Sequence, residues 1–258
     1  PEDHSASQVP PAVYQGKMTK GSDGNMWVVL QSYDYSTNEG STYIGSVTPQ
    51  GVAMIYPVPK PADMISTSIP TDLILGPDGN IWYTLWGYNL QRTGQVMVIG
   101  KMLPDGTTQH FPQSPGFYTG QLIAAPDGNI WFSYRSSATT VGIGKITSQG
   151  EMTLIPVADE RILSKAAVGA DGNIWFISAK YVSANVGEMP YLTVPDPSSY
   201  KISKIVVPAI QSSSSGIASS SKSSSKSSVI ITTATSSSRS SSSAFFAGNR
   251  CGNGILNS

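Results

Sequence analysis

Apolar and polar positions along this chain alternate in short blocks separated by turn residues. In Leu73-Ile-Leu-Gly-Pro-Asp-Gly-Asn-Ile-Trp-Tyr-Thr84 an apolar run meets Asp-Gly and gives way to an aromatic run. Such blocks predict two strands joined by a tight turn, because Asp-Gly supplies the positive φ that a hairpin connection needs. A second hairpin is predicted over Val98-Ile-Gly-Lys-Met-Leu-Pro-Asp-Gly-Thr-Thr-Gln-His-Phe111, again turning at Asp-Gly. Two hairpins make a four-stranded antiparallel sheet.

The pattern recurs. Four segments share Asp-Gly-Asn-Ile/Met-Trp, with aspartates at Asp23, Asp78, Asp127 and Asp171 and tryptophans at Trp27, Trp82, Trp131 and Trp175. The aspartates stand 55, 49 and 44 residues apart. A second element follows each: Ile44-Gly-Ser-Val47, Ile99-Gly-Lys-Met102, Ile143-Gly-Lys-Ile146 and a weaker Ile202-Ser-Lys-Ile205. From Gly45 to Pro57, Gly100 to Pro112 and Gly144 to Pro156 the step is always 12. From the aspartate to the second element it varies: 22, 22, 17 and 32. One half of the unit is fixed in length and the other holds a variable loop, as in a packed repeat with loop variation on one face. Four-stranded units at this period predict an all-β fold, a β-propeller with four blades legible and the set incomplete. The expected organisation is an end at 1–12, blades at 13–59, 60–115, 116–158 and 159–210 with the last incomplete, a serine-rich linker at 211–243 and a further module beginning at 244. Large rings at one position per blade fill the space between neighbouring sheets, each burying on the order of 200 Å².

Composition narrows the function. Charged residues make up 12 % of the chain and the net charge is zero, which removes the electrostatic basis for nucleic-acid binding. No stretch approaches the ~20 apolar residues that span a bilayer. The chain begins at Pro1 and carries one cysteine, Cys251, so the body of the fold owes nothing to disulfides.

The run Gly-Pro-Asp-Gly-Asn-Ile-Trp-Tyr-Thr, followed by Ile-Gly-Lys-Met and a Pro-Asp-Gly-Thr turn, resembles the blades of the virginiamycin B (streptogramin) lyase family. The resemblance covers roughly residues 13 to 210 and implies a propeller, usually of seven blades, so that further blades are expected outside this chain. It also implies a histidine base and glutamates holding magnesium. The positions matching the family's glutamate are Leu30, Leu85, Tyr134 and Ser178, none of them acidic. Of the two histidines, His4 lies in the first residues and His110 aligns with the strand positions Ile55 and Leu154, which reads as structural. No catalytic residue, metal or cofactor is therefore assigned.

Other chemistry is thin. The Asp-Gly-Asn turns carry oxygens suited to a hard cation, but their spacing is not that of an EF-hand loop and each sits where a hairpin must turn. Asp159-Glu160 is an adjacent acidic pair and reads as a solvated turn. The variable loops, taken as Gln31–Thr42, Gly87–Gln95, Arg135–Thr140 and Ala179–Tyr200, are the better candidates, since loops on a rigid scaffold carry binding residues. They and their margins hold Tyr33, Tyr35, Trp86, Tyr88, Tyr134, Arg135, Lys180 and Tyr181, able to stack a sugar or grip a peptide or small molecule.

More than half of Gln211–Ser243 is serine, which predicts a flexible linker. Beyond it, Cys251-Gly-Asn-Gly-Ile-Leu-Asn257 resembles the opening of a cysteine-rich repeat of bacterial surface proteins. That resemblance implies a downstream partner for Cys251 and an oxidising compartment. The expectation is an extracellular or cell-surface, non-catalytic binding or adhesion module. The alternative is a magnesium-dependent streptogramin lyase, a carbon–oxygen lyase, whose active residues lie outside this chain.

Overall fold

A computed structural model describes residues 12–34, 39–62, 64–65, 69–91, 93–112, 117–136, 141–157, 162–186, 189–207 and 231–234. Each repeat forms one four-stranded antiparallel sheet. The first contains β1 (Ala12–Lys20), β2 (Met26–Asp34), β3 (Glu39–Val47) and β4 (Ala53–Val58) in that order. The second contains β5 (Ile69–Leu75), β6 (Ile81–Tyr88), β7 (Gln95–Met102) and β8 (Thr108–Pro112). The third contains β9 (Tyr118–Ala124), β10 (Ile130–Arg135), β11 (Val141–Ile146) and β12 (Met152–Pro156).

The fourth sheet differs from expectation. Between β14 (Ile174–Ala179) and β17 (Lys201–Ile205) the presumed loop folds into a two-stranded ribbon, β15 (Tyr181–Val186) with β16 (Met189–Pro195). Its runs are rich in valine, tyrosine and threonine, which favour a pleated chain. The sheet itself runs β13 (Ile162–Val168), β14, β17 and then β18 (Ile231–Ala234). Blade four is thus completed by a strand from within the stretch expected to be linker. Ile231-Thr-Thr-Ala234 is β-branched at three of four positions in a region otherwise dominated by serine. Likewise, much of Gln31–Thr42 continues β2 and β3, whereas Gly87–Gln95 takes up only the ends of β6 and β7.

The aspartate makes the turn. In blade two, Asp78 Oδ1 accepts the Asn80 N–H at 3.3 Å and the Trp82 indole N–H at 2.9 Å, while Oδ2 accepts from the Asn80 amide at 2.8 Å. The other three repeats form the same set. The glycine between them has φ of +74° to +81°, a region open to glycine without a Cβ penalty. The motif therefore fixes the turn and gives the buried indole N–H an acceptor.

Packing joins the sheets in series, β1 against β5, β5 against β9 and β9 against β13, in the manner of propeller blades. The first three repeat tryptophans pack forward: Trp27 clusters with Ile81 and Tyr83 of blade two, Trp82 with Leu122 and Phe132 of blade three, and Trp131 with Ile174 and Phe176 of blade four. Trp82 and Trp131 are 1 % and 0 % exposed, and removing ~200 Å² of ring from water is worth several kcal/mol at ~25 cal/mol/Å².

Candidate functional site

The Asp-Gly-Asn turns and the turns joining third to fourth strands gather at one end of the blades. The connections from second to third strand gather at the other, and there each first strand carries at least one extra residue against its neighbour, β1 having a second between Ala12 and Tyr14. The bulges fall between Gln15 and Met18, Pro70 and Asp72, Thr119 and Leu122, and Leu163 and Lys165. A bulge bends a strand and re-aims its side chains.

In blade three the bulge borders a cavity of about 190 Å³ lined by Tyr118, Thr119 and Gly120 of β9, Ser133, Tyr134 and Arg135 of β10, and Val141. The Tyr134 ring stacks on Phe117, centroids 5.0 Å apart and planes within 9°. The Arg135 guanidinium lies over the Tyr118 ring at 4.6 Å. A Cβ at Gly120 would meet the Ser133 hydroxyl, so that hydroxyl fills the space above the glycine. Thr119 Oγ1 is buried without a hydrogen-bond partner, the one such side-chain atom among the described residues. A buried hydroxyl left unpaired costs about 1–3 kcal/mol, so a polar ligand atom that reached it would be favoured. Burial holds the Tyr134 phenol above its ordinary pKa, so it is a neutral hydrogen-bonding group at physiological pH. Together the cavity is lined by aromatic rings, hydroxyls and one guanidinium.

The sequence-selected residues separate into four places. Tyr134 and Arg135 share this cavity. Trp86 and Tyr88 meet edge to face on β6, 5.4 Å apart, with Tyr88 exposed. Lys180 stands at the root of the β15–β16 ribbon, where its N–H donates to Ser199 Oγ at 2.8 Å and its carbonyl accepts the Asp196 N–H at 2.8 Å. Tyr33 lies opposite Gly40, and Tyr181 opposite Pro195. Tyr35, His4, Asp159, Glu160 and Cys251 lie outside the described residues. Phe117, Tyr118 and Thr119 were not singled out in the sequence. They enter from the start of β9, and the signal available was an aromatic pair beside a repeat boundary.

A family model described as the virginiamycin B lyase family matches residues 9–192. The chain belongs to that family. No curated protein matches it. Among solved structures, a protein of unknown function from Bacteroides caccae is similar, with a TM-score of 0.41 and 12 % identity, covering 72 % of this chain and 68 % of that one.

The lyase-family magnesium does not fit the positions where its ligands would align. Leu85 is fully buried, Tyr134 is packed on Phe117, and Ser178 is 3 % exposed. Leu30, on β2, has no oxygen to offer. Among the described residues no three His, Cys, Asp or Glu side chains cluster as ligands. His110 is occupied structurally: its Nε2 and Tyr83 Oη are hydrogen-bonded at 3.0 Å, and the Tyr83 ring occupies the space a Cβ at Gly100 would need.

Proposed function

We propose that this member of the virginiamycin B lyase family is a non-catalytic binding module, extracellular or on the cell surface, that takes an acidic glycan on its loop face. The observation that carries this is the blade-three cavity. Arg135 offers a donor fork for a carboxylate, Thr119 supplies an unpaired hydroxyl, and Tyr118 and Tyr134 form the aromatic wall beside them. The serine-rich stretch and the Cys251 segment support display outside the cytoplasm.

The test is calorimetric titration of the full chain with uronic-acid and neutral oligosaccharides. Saturable binding that prefers the acidic series, and that weakens about tenfold in Arg135→Ala, is expected. No binding by the wild type, or equal binding by the variant, removes the reading.

Family membership favours one alternative, streptogramin ring opening by residues outside those described. Incubating the protein with a streptogramin and magnesium decides it, since an unaltered ring removes the idea.

A further inference from the structure

Three of the four blades place a lysine ammonium against the repeat tryptophan. Lys101 Nζ lies 5.5 Å from the Trp82 ring centroid, Lys145 Nζ 5.7 Å from Trp131 and Lys204 Nζ 5.1 Å from Trp175. Each lysine is the cross-strand partner of its tryptophan. Two also approach the turn carboxylate, Lys101 at 3.9 Å from Asp78 Oδ2 and Lys204 at 3.4 Å from Asp171 Oδ2. Lys101 reaches further and donates to the Ser148 carbonyl of the next blade at 2.7 Å. In blade two the cation is thus held by an indole face, a carboxylate and a carbonyl of the following blade.

Blade one keeps the holder and lacks the cation. Asp23, Asn25 and Trp27 form the same turn, but the cross-strand partner of Trp27 is Ser46. A cavity of about 190 Å³ opens there, lined by Asp23, Trp27, Ser46 and Tyr56 and, across from them, by Leu103 and Pro104 of blade two. Pro104 holds the repeat position that Ser148 holds in blade three, so its carbonyl is the counterpart of the one that receives Lys101. Ser22 Oγ donates to the Gly79 carbonyl at 3.0 Å and pins the two blades at the rim. Tyr56 stacks on Trp27 at 5.7 Å, continuing the aromatic wall.

We infer that this groove binds a primary alkylammonium group, supplied either by a free alkylamine or by a lysine side chain of another polypeptide. The ammonium sits over Trp27 within reach of Asp23 and the Pro104 carbonyl, and its aliphatic stem lies along Tyr56. The groove is at the turn end of the blades, opposite the cavity of blade three, so it stands or falls separately from glycan binding.

The full chain, labelled with nitrogen-15, is titrated with n-butylammonium chloride while the Trp27 indole N–H resonance is followed, assigned through Trp27→Phe. n-Butanol serves as the uncharged counterpart. A saturable shift with the amine and none with the alcohol is expected. Ser46→Lys supplies the internal cation and abolishes the shift, and Asp23→Asn weakens binding at least fivefold. Should Ser46→Lys misfold, Asp23→Asn alone carries the comparison. Nα-acetyl-lysine methylamide then separates the sources: binding tighter than butylammonium identifies a polypeptide lysine, and equal or weaker binding a free amine. No shift in the wild type, an equal shift with butanol, or full binding by a folded Ser46→Lys protein overturns the inference.

Discussion

Tyr56, in the last strand of blade one, lies over Gly106, in the last turn of blade two, so closely that a Cβ there would stand 2.6 Å from Tyr56 Cδ1. Phe111 and Gly150 repeat the contact one blade on. The ring that stacks on the repeat tryptophan also seals the joint to the following blade.

Gly106→Ala is expected to destabilise the fold by more than Gly51→Ala. Both glycines have positive φ, +84° and +85°, and each alanine carries backbone strain of about 1–3 kcal/mol. Only Gly106 adds the collision, since a Cβ at Gly51 meets nothing within 4 Å. Urea unfolding of both variants isolates the inter-blade contribution as the difference.

Asp127→Ala should cost about 1–3 kcal/mol, because both carboxylate oxygens lie 3.1 Å from the Trp131 indole nitrogen and Trp131 is fully buried. The removal leaves a buried N–H without its acceptor. A Trp131 indole hydrogen that exchanges faster with solvent in the variant, together with a lower denaturation midpoint, is the expected result.

Asp171 yields a pH dependence. Hydrogen bonds from Asn173 and Trp175, aided by Lys204, hold its carboxyl below the ordinary 3.8. A depressed folded pKa contributes stability that is present above the unfolded value and lost as pH falls through the folded one. Thermal stability of the wild type should therefore begin to fall below about pH 4. Asp171→Asn should start lower at neutral pH and fall less steeply in acid.

Tyr83 acts at the alkaline end. Burial raises its phenol above the ordinary 10.0, partly offset by a hydrogen bond with Thr108. A raised folded pKa means stability that is complete below the unfolded value and lost as pH rises through the folded one. Phenolate absorbance should show one tyrosine resisting ionisation until the protein unfolds, and Tyr83→Phe should remove it. The same variant should lose about 0.5–1.5 kcal/mol with the His110 hydrogen bond.

Asp72 couples three blades. It is 4 % exposed on β5 and accepts from Lys17 Nζ of blade one at 2.7 Å and from the Leu122 N–H of blade three at 2.7 Å. Lys17 is half exposed, so Lys17→Ala should cost under about 1 kcal/mol. Asp72→Ala strands the buried Leu122 N–H and should cost about 1–3 kcal/mol. Paired denaturation curves test the asymmetry.

The blades were legible because their determinants are local: Asp-Gly-Asn sets the turn within a few residues of Asp78, and Trp82 follows at fixed distance. The bulges were not, since Gly16, Thr71, Gly120 and Ser164 share only small size. Strand β18 was hidden because Ile231–Ala234 finds its partner only in three dimensions. Of the blade-three cavity, Tyr134 and Arg135 stood out as a ring and a cation beside a variable loop. Thr119 did not, because its importance lies in what its hydroxyl lacks. The lysine over each tryptophan is cross-strand geometry, visible only once Trp82 and Lys101 are in register.

Strands three and four of the first three blades are joined by five residues each, 48–52, 103–107 and 147–151, whereas β17 and β18 are separated by the twenty-five residues 206–230. By chain length alone, closing the longer connection costs about 1.4 kcal/mol more. The outer edge of blade four is thus held at a lower effective concentration of its own strand than any other edge. It is the seam at which the repeat array opens first, and the seam at which the corresponding strand of a second molecule competes on the most even terms.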